Sequence, residues 1–330
     1  MYMFQCKKII INIKNIFMGL FSFMFINGCA GVPVKQSALQ TKQNITTEIT
    51  NNTILDQMLI ETDGAYAQKI KIKWFGTAAI LIELNGMKIL FDPFVTMNNK
   101  LYKPPIDEFA AVDAIFVTHG HFDHIYDIPS ILNEVNKKAK VYCTTTPRKT
   151  LISKGVEEER IHTITAGDFF NLGVIEIRVL KGKHISFNIG LIIKKILNPR
   201  IFTYWSNLSW IVKENKNYDE AGEIVVYDII VFNKRILLMG SLNLDENIEY
   251  PKSADLLILP FQGRSDLNTY AIPFIQRLEP KKVLLDHFDD SFPPISSSVA
   301  TLPFVKLMRE KYPAIPVICL NAGKEWIVDF

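Results

Sequence analysis

The chain has 330 residues, 48% hydrophobic and 22% charged, which supplies a packed core and excludes global disorder. Its formal charge of +3 is matched by Lys7, Lys8 and Lys14, since residues 1–28 hold those three lysines and no acid; the remainder is neutral. A neutral chain lacks the basic face that displaces counterions from nucleic acid, and four cysteines without a CxxC pair exclude a disulfide scaffold and a cysteine zinc ribbon.

The three lysines precede residues 16–26 (IFMGLFSFMFI), an uncharged apolar run too short to span a bilayer and suited to a signal segment. It leads into Ile26-Asn27-Gly28-Cys29, which resembles the bacterial lipobox. The resemblance implies cleavage before Cys29 and lipidation of its sulfur, hence a protein anchored in the bacterial cell envelope and facing the periplasm or exterior. An uncleaved anchor using residues 9–26 is the competing reading, with Asn12, Lys14 and Asn15 interrupting its apolar run. Residues 1–28 then read as a signal peptide, 29–66 as a lipid-anchored polar linker, and 67–330 as the folded domain.

The body reads as α/β. Residues 69–84 are β-branched and apolar, Asn85-Gly86 signals a hairpin, and residues 87–94 supply the return strand. Residues 114–118 form a short buried strand, and Ile125, Ile128, Ile131, Leu132 and Val135 recur at helical spacing, predicting one helix to about Lys137. A strand at 141–145 precedes a helix opened by Pro147 and closed before Gly155. Further strands are predicted at 174–180, 224–232, 235–239, 256–259 and 282–285, and helices at 273–278 and 303–312. Cys143 and Cys319 lie in apolar strands and read as core thiols.

The chemistry concentrates in Thr118-His119-Gly120-His121-Phe122-Asp123-His124, where a strand gives way to a helix. His119 and His121 are two apart, so on extended chain both imidazoles point the same way. Asp123 and His124 fall at the helix start, where a carboxylate is favoured. Imidazole and carboxylate together suit zinc and its neighbours. Asp92, at the end of a strand, either orients a ligand or caps a turn.

HxHxDH at the end of an apolar strand resembles the metallo-β-lactamase superfamily. So do Trp74-Phe-Gly-Thr-Ala-Ala, Phe91-Asp-Pro93, Lys183-His184 and Leu284-Leu-Asp-His287-Phe-Asp-Asp290. The resemblance implies a four-layer αββα sandwich. It assigns one metal to His119, His121 and His184, and a second to Asp123, His124 and His287; the ions would be Zn2+, or Mn2+ or Fe2+, one or two per chain. Five of the six histidines fall on family positions, and His162 is read as structural. The family's bridging Asp is replaced here by Ser241, in Leu237-Leu-Met-Gly240-Ser241. A neutral hydroxyl does not offset the repulsion between two divalent ions, so the second ion is expected to bind weakly or not at all. Asp245, Asp289 and Asp290 are the remaining candidates to compensate. With a single ion, Asp123 becomes the general base, and His287 or His124 stabilises developing charge.

The implied activity is metal-dependent hydrolysis by metal-bound hydroxide. The closing segment, with Asp289-Asp290 before Pro293-Pro294, resembles the ascorbate-6-phosphate lactonase and N-acyl-phosphatidylethanolamine phospholipase D branch. That branch implies a lactone, phosphodiester or related ester; β-lactam hydrolysis and nucleic-acid processing fit poorly. Residues 190–212 hold Trp205, Trp210, Phe202 and Tyr204 beside Lys194, Lys195 and Arg200, which suits either an amphiphilic substrate or membrane interface, or a lid helix packed on the sandwich. A binding or scavenging lipoprotein with the same fold is the alternative that Ser241 keeps open.

Overall fold

The computed structural model describes residues 69–96, 102–218 and 221–328; the signal segment, Cys29 and the polar linker lie outside them. Two seven-stranded sheets stack face to face. In the first, the order is β14 (Glu325–Val328), β1 (Ile70–Trp74), β2 (Ile80–Leu84), β3 (Met87–Phe91), β4 (Ala114–Phe116), β5 (Lys140–Cys143) and β6 (Ile161–Thr163). In the second it is β13 (Val317–Cys319), β12 (Val283–Asp286), β11 (Leu256–Pro260), β10 (Lys234–Met239), β9 (Val225–Val231), β8 (Ile175–Lys181) and β7 (Phe169–Leu172). Strands β3 to β6 run parallel, as do β10 to β13.

The period of two along each strand decides the layers. Ile70, Ile72, Ile80, Ile82, Phe91 and Phe116 point between the sheets and meet Ile177, Tyr227, Leu238 and Ile258 from the other side. The alternate residues Leu81, Leu90, Ile115 and Val117 face helices on one flank; Leu237, Met239, Leu257 and Leu259 face helices on the other. Strands covered on both faces read as continuous apolar runs, which is why IFVT, LLIL and VLLD carry almost no polar residue. The helices are α1 (Phe122–Ile125), α2 (Ile128–Ser130), α3 (Thr145–Ser153), α4 (Ile189–Ile196), α5 (Arg200–Thr203), α6 (Trp205–Asn215), α7 (Leu267–Tyr270), α8 (Ile272–Leu278) and α9 (Leu302–Lys311). None is long and apolar enough to cross a membrane.

Several elements differ from expectation. The run 69–84 is two antiparallel strands separated by a turn at Gly76–Thr77, both at positive φ. Asn85-Gly86 makes the expected two-residue hairpin, with φ of 49° and 82° and Leu84 opposite Met87. The single helix expected to Lys137 is instead α1, α2 and a π turn over Ile131–Val135, ended where Asn136 Nδ2 donates to the carbonyls of Phe109 and Val112. Strands β6, β7 and β14 were not predicted; they are short and lie at or beside sheet edges. Cys143 is buried, and burial pushes its thiol up to about 12. Cys319 is exposed on the edge strand β13, not in the core.

Candidate metal centre

Strands β3, β4, β8, β10 and β12 deliver their C-terminal ends to one rim between the sheets. The loops that follow carry Asp92, His119 with His121, His184, Ser241 and His287. Helix α1 buries Phe122 and Ile125, three apart, in the flanking core; this turns the intervening Asp123 and His124 toward the histidines. Gly120 N donates to Ala221 O at 2.8 Å and pins the loop between the first two histidines. Gly240 lets the two sheets approach: a Cβ there would sit 2.3 Å from Thr118 Cβ.

The six candidate ligands come together as two groups, His119–His121–His184 and Asp123–His124–His287. Within each group the ligand atoms lie within 4.8 Å of one another. Ser241 stands in the same cavity, its Oγ accepting from Ile185 N at 2.9 Å.

The ring orientations are held from behind. His124 Nδ1 is 2.9 Å from Asp92 Oδ2, and His184 Nδ1 is 2.9 Å from Ile185 O. Carboxylate and carbonyl oxygens only accept, so both Nδ1 atoms carry the proton. Thr118 Oγ1 donates to Asp92 Oδ2 at 2.6 Å and so accepts from His119 Nδ1 at 3.0 Å. With Nδ1 of His119 and His184 engaged, each of these two rings turns Nε2 toward the cavity, and His119 Nε2 lies 3.0 Å from His121 Nδ1.

Electrostatics point the same way. Burial, then the neighbouring imidazoles, hold His119 well below its usual range, and burial with the charge of His184 brings His121 to about 3. Burial likewise brings His184 to about 4. These are neutral imidazoles, the form that binds a cation. Burial alone would raise Asp123, but His124 and His287 outweigh it and keep the carboxylate ionised. Burial works to lower His287, yet Asp123, with Oδ2 3.3 Å from Nε2, raises it overall. Buried His121 Nε2 and His287 Nδ1 have no hydrogen-bond partner. Convergent lone pairs around one carboxylate fit divalent ions.

Backbone strain gathers here too. Asp92, His287 and Thr77 have φ of 46°, 59° and 52°. His287 N donates to Thr77 O at 2.8 Å, and Thr77 N donates to Asp289 Oδ1 at 2.8 Å. A β-branched residue in the left-handed region persists only where its surroundings dictate it.

Asp92 orients His124 and does not merely cap a turn. Asp245 pairs with Lys181 at 2.7 Å, Asp289 with Thr77 and Ser291, and Asp290 with Arg200 and Ser296, so none of the three lines the cavity. His162 stacks on Tyr142 at 5.0 Å, away from the cluster. Two residues carry no local signal of their roles. Thr118 links Asp92 to His119. Asp286, 2% exposed, lies beside His287 with Oδ1 unpartnered, and burial pushes it up to about 8.

The cavity, about 150 Å³, is walled by Phe187, Leu191, Phe292 and Ile295, with one ammonium, Lys195. Lys195 Nζ donates to Ser297 Oγ at 2.9 Å; burial, with Lys194 and Arg200, lowers it to about 8 against the opposing charge of Asp290.

Two sheets flanked by helices, with a histidine–aspartate cluster at the strand ends, define an αββα sandwich with a candidate metal centre. Residues 87–288 match the family model described as beta-lactamase superfamily domain. The chain belongs to the metallo-β-lactamase superfamily and is one of its metal-dependent hydrolases. It is 24% identical to a UPF0173 metal-dependent hydrolase of Methanobrevibacter smithii, over 77% of this chain and 95% of that one. Its identity to a Pyrococcus abyssi protein of the same name is 28%, over 78% and 98%. In fold it is similar to Igni18, a metallo hydrolase of Ignicoccus hospitalis, with a TM-score of 0.57 at 18% identity, covering 79% of this chain and 99% of that one.

Proposed function

We propose that the chain hydrolyses a lactone, phosphodiester or related ester, and does so at an envelope membrane to which lipidated Cys29 tethers it. His119, His121 and His184 would hold one ion, and Asp123, His124 and His287 a second. The observation that carries this reading is the convergence of six donor side chains, with the rings of His119, His124 and His184 fixed from behind by Thr118, Asp92 and Ile185 O. Zinc suits such ligands best, with manganese or iron next. A divalent ion held there would supply a water of pKa near 7 instead of about 15.7 and a positive charge for the substrate oxygen.

The side chains do the rest. With only the first position filled, as the missing carboxylate at Ser241 favours, Asp123 is free and, ionised at neutral pH, accepts the proton of the attacking water at a carboxylate oxygen. His287 Nε2, 3.3 Å from Asp123 Oδ2, shares that proton and can return it to the leaving oxygen. Ser241 Oγ takes its hydrogen bond from Ile185 N, which leaves its own hydrogen for a substrate oxygen. The apolar walls exclude bulk water, and the Lys195 ammonium favours a substrate with an anionic group.

The test is the protein purified without chelators, assayed on lactone, phosphodiester and acyl-ester panels alongside metal analysis by mass spectrometry. Turnover of one class, lost on chelation and restored by zinc or manganese, is expected. A fully metal-loaded protein inert on all three panels would overturn the reading.

A further inference from the structure

Helix α4 has two faces with different surroundings. Leu191 and Lys195 line the cavity. Asn188 Oδ1 caps the helix by accepting from Leu191 N at 3.1 Å, and Asn188 Nδ2 donates to Ser265 Oγ at 2.8 Å, which ties the helix to the loop after β11. On the other side, Ile189, Ile193 and Leu197 recur every four residues. At about 100° per residue they fall within one narrow arc. They are 75%, 51% and 74% exposed, and Phe202 of α5 is 78% exposed. Among the described residues, Phe202, Ile189 and Leu197 are the three most exposed large apolar side chains. Single exposed apolar residues are ordinary, but a row of them along one helix and into the next is not.

Charge singles out the occupant. Residues 189–213 hold Lys194, Lys195, Arg200 and Lys213 and no Asp or Glu. Arg200 is engaged by Asp290, while Lys194, beside the apolar row, and Lys213 are exposed. Trp210, half-packed against Tyr126 at 5.8 Å, adds an amphipathic ring to the same segment. An apolar row edged by cations complements an anionic lipid surface. Lipidation of Cys29 would tether the domain to the membrane through residues 30–68, so the face need add only weak affinity.

We infer that Ile189, Ile193, Leu197 and Phe202 form a membrane-docking face that seats α4 and α5 in the headgroup region of an anionic bilayer, so that an amphiphilic ester passes from the bilayer to the cavity along α4. The docking stands on the face alone; only the passage of substrate rests on the hydrolase reading.

Every described strand and all three hydrophobic cores begin at or after Ile70, so a chain starting at residue 30, without the lipid site, keeps the sandwich. This metal-loaded chain is sedimented with phosphatidylcholine vesicles with and without phosphatidylglycerol. It should bind the anionic vesicles and shift the Trp emission to the blue. The variant I193E/L197E/F202E should bind at least about tenfold more weakly, with an unchanged melting temperature and unchanged turnover of a water-soluble ester. Lys194→Glu should weaken binding several-fold. Vesicle binding unaltered by the triple substitution would overturn the inference. So would self-association that the triple substitution abolishes without any vesicle binding, because the face would then belong to a second copy. Binding to vesicles with no turnover of any ester would retain the docking face and remove the proposal of an ester substrate.

Discussion

The two ligand groups share one cavity but are stabilised differently. His119, His121 and His184 are uncharged and are braced by neutral oxygens, Thr118 Oγ1 and Ile185 O. Asp123, His124 and His287 contain a carboxylate, and His124 leans on a second one, Asp92. The first group offers directed lone pairs; the second offers negative charge. Geometry alone brings both together, but only the second partly neutralises an ion, and Ser241, which lines the same cavity, adds no charge.

That contrast can be broken most severely at Asp123. Asp123→Asn should lower kcat by about a thousandfold while an ion remains on the first group, seen by single-turnover kinetics with metal analysis. Retained turnover would mean that Asp123 is not the proton acceptor. Next, Asp92→Ala should cost about 10- to 100-fold in metal affinity or activity at the second group, because His124 loses the acceptor that fixes its ring. An equal loss at the first group would show that Thr118 transmits the effect to His119. Ser241→Asp should raise the affinity of the second ion by roughly tenfold and bring stoichiometry toward two, since it adds a carboxylate to the cavity that holds both groups. Titration of apo protein with zinc measures it, and unaltered stoichiometry would locate the compensating charge elsewhere.

The last test reads stability. The folded-state pKa values of His121 and His184, about 3 and 4, lie below the unfolded value near 6.5. Below pH 6.5 the unfolded apo chain takes up protons that the folded chain refuses until far lower pH. Apo stability should therefore fall as pH drops from 6.5 toward 5, by roughly 1–2 kcal/mol for each such histidine. Thermal unfolding of the apo protein at pH 7 and pH 5 reads this directly; an equal melting temperature would mean that the rings are not held neutral.

Much of this centre was legible because it is local. HxHxDH places four donors on six residues, and His184 and His287 were legible through family resemblance. Asp92 was left between two roles, since its partner Thr118 is 26 residues away and no spacing rule joins them. The turn at Gly76–Thr77 was not legible for the same reason: the run 69–84 reads only as β-branched and apolar, and Thr77 bonds His287 and Asp289 far along the chain. The continuous helix predicted to Lys137 gave way where Asn136 was recruited by Phe109 and Val112. Exposure of Cys319 likewise depended on β13 lying at a sheet edge.

Amino-acid order by itself determined the alternating apolar pattern, the Asn85-Gly86 hairpin and the ligand motif, because each depends on neighbours within a few residues. Only the tertiary structure decided which ring nitrogens are held from behind, that Asp92 serves His124, and that the apolar row of α4 faces outward. Those depend on atoms that are distant along the chain and meet only once both sheets have stacked.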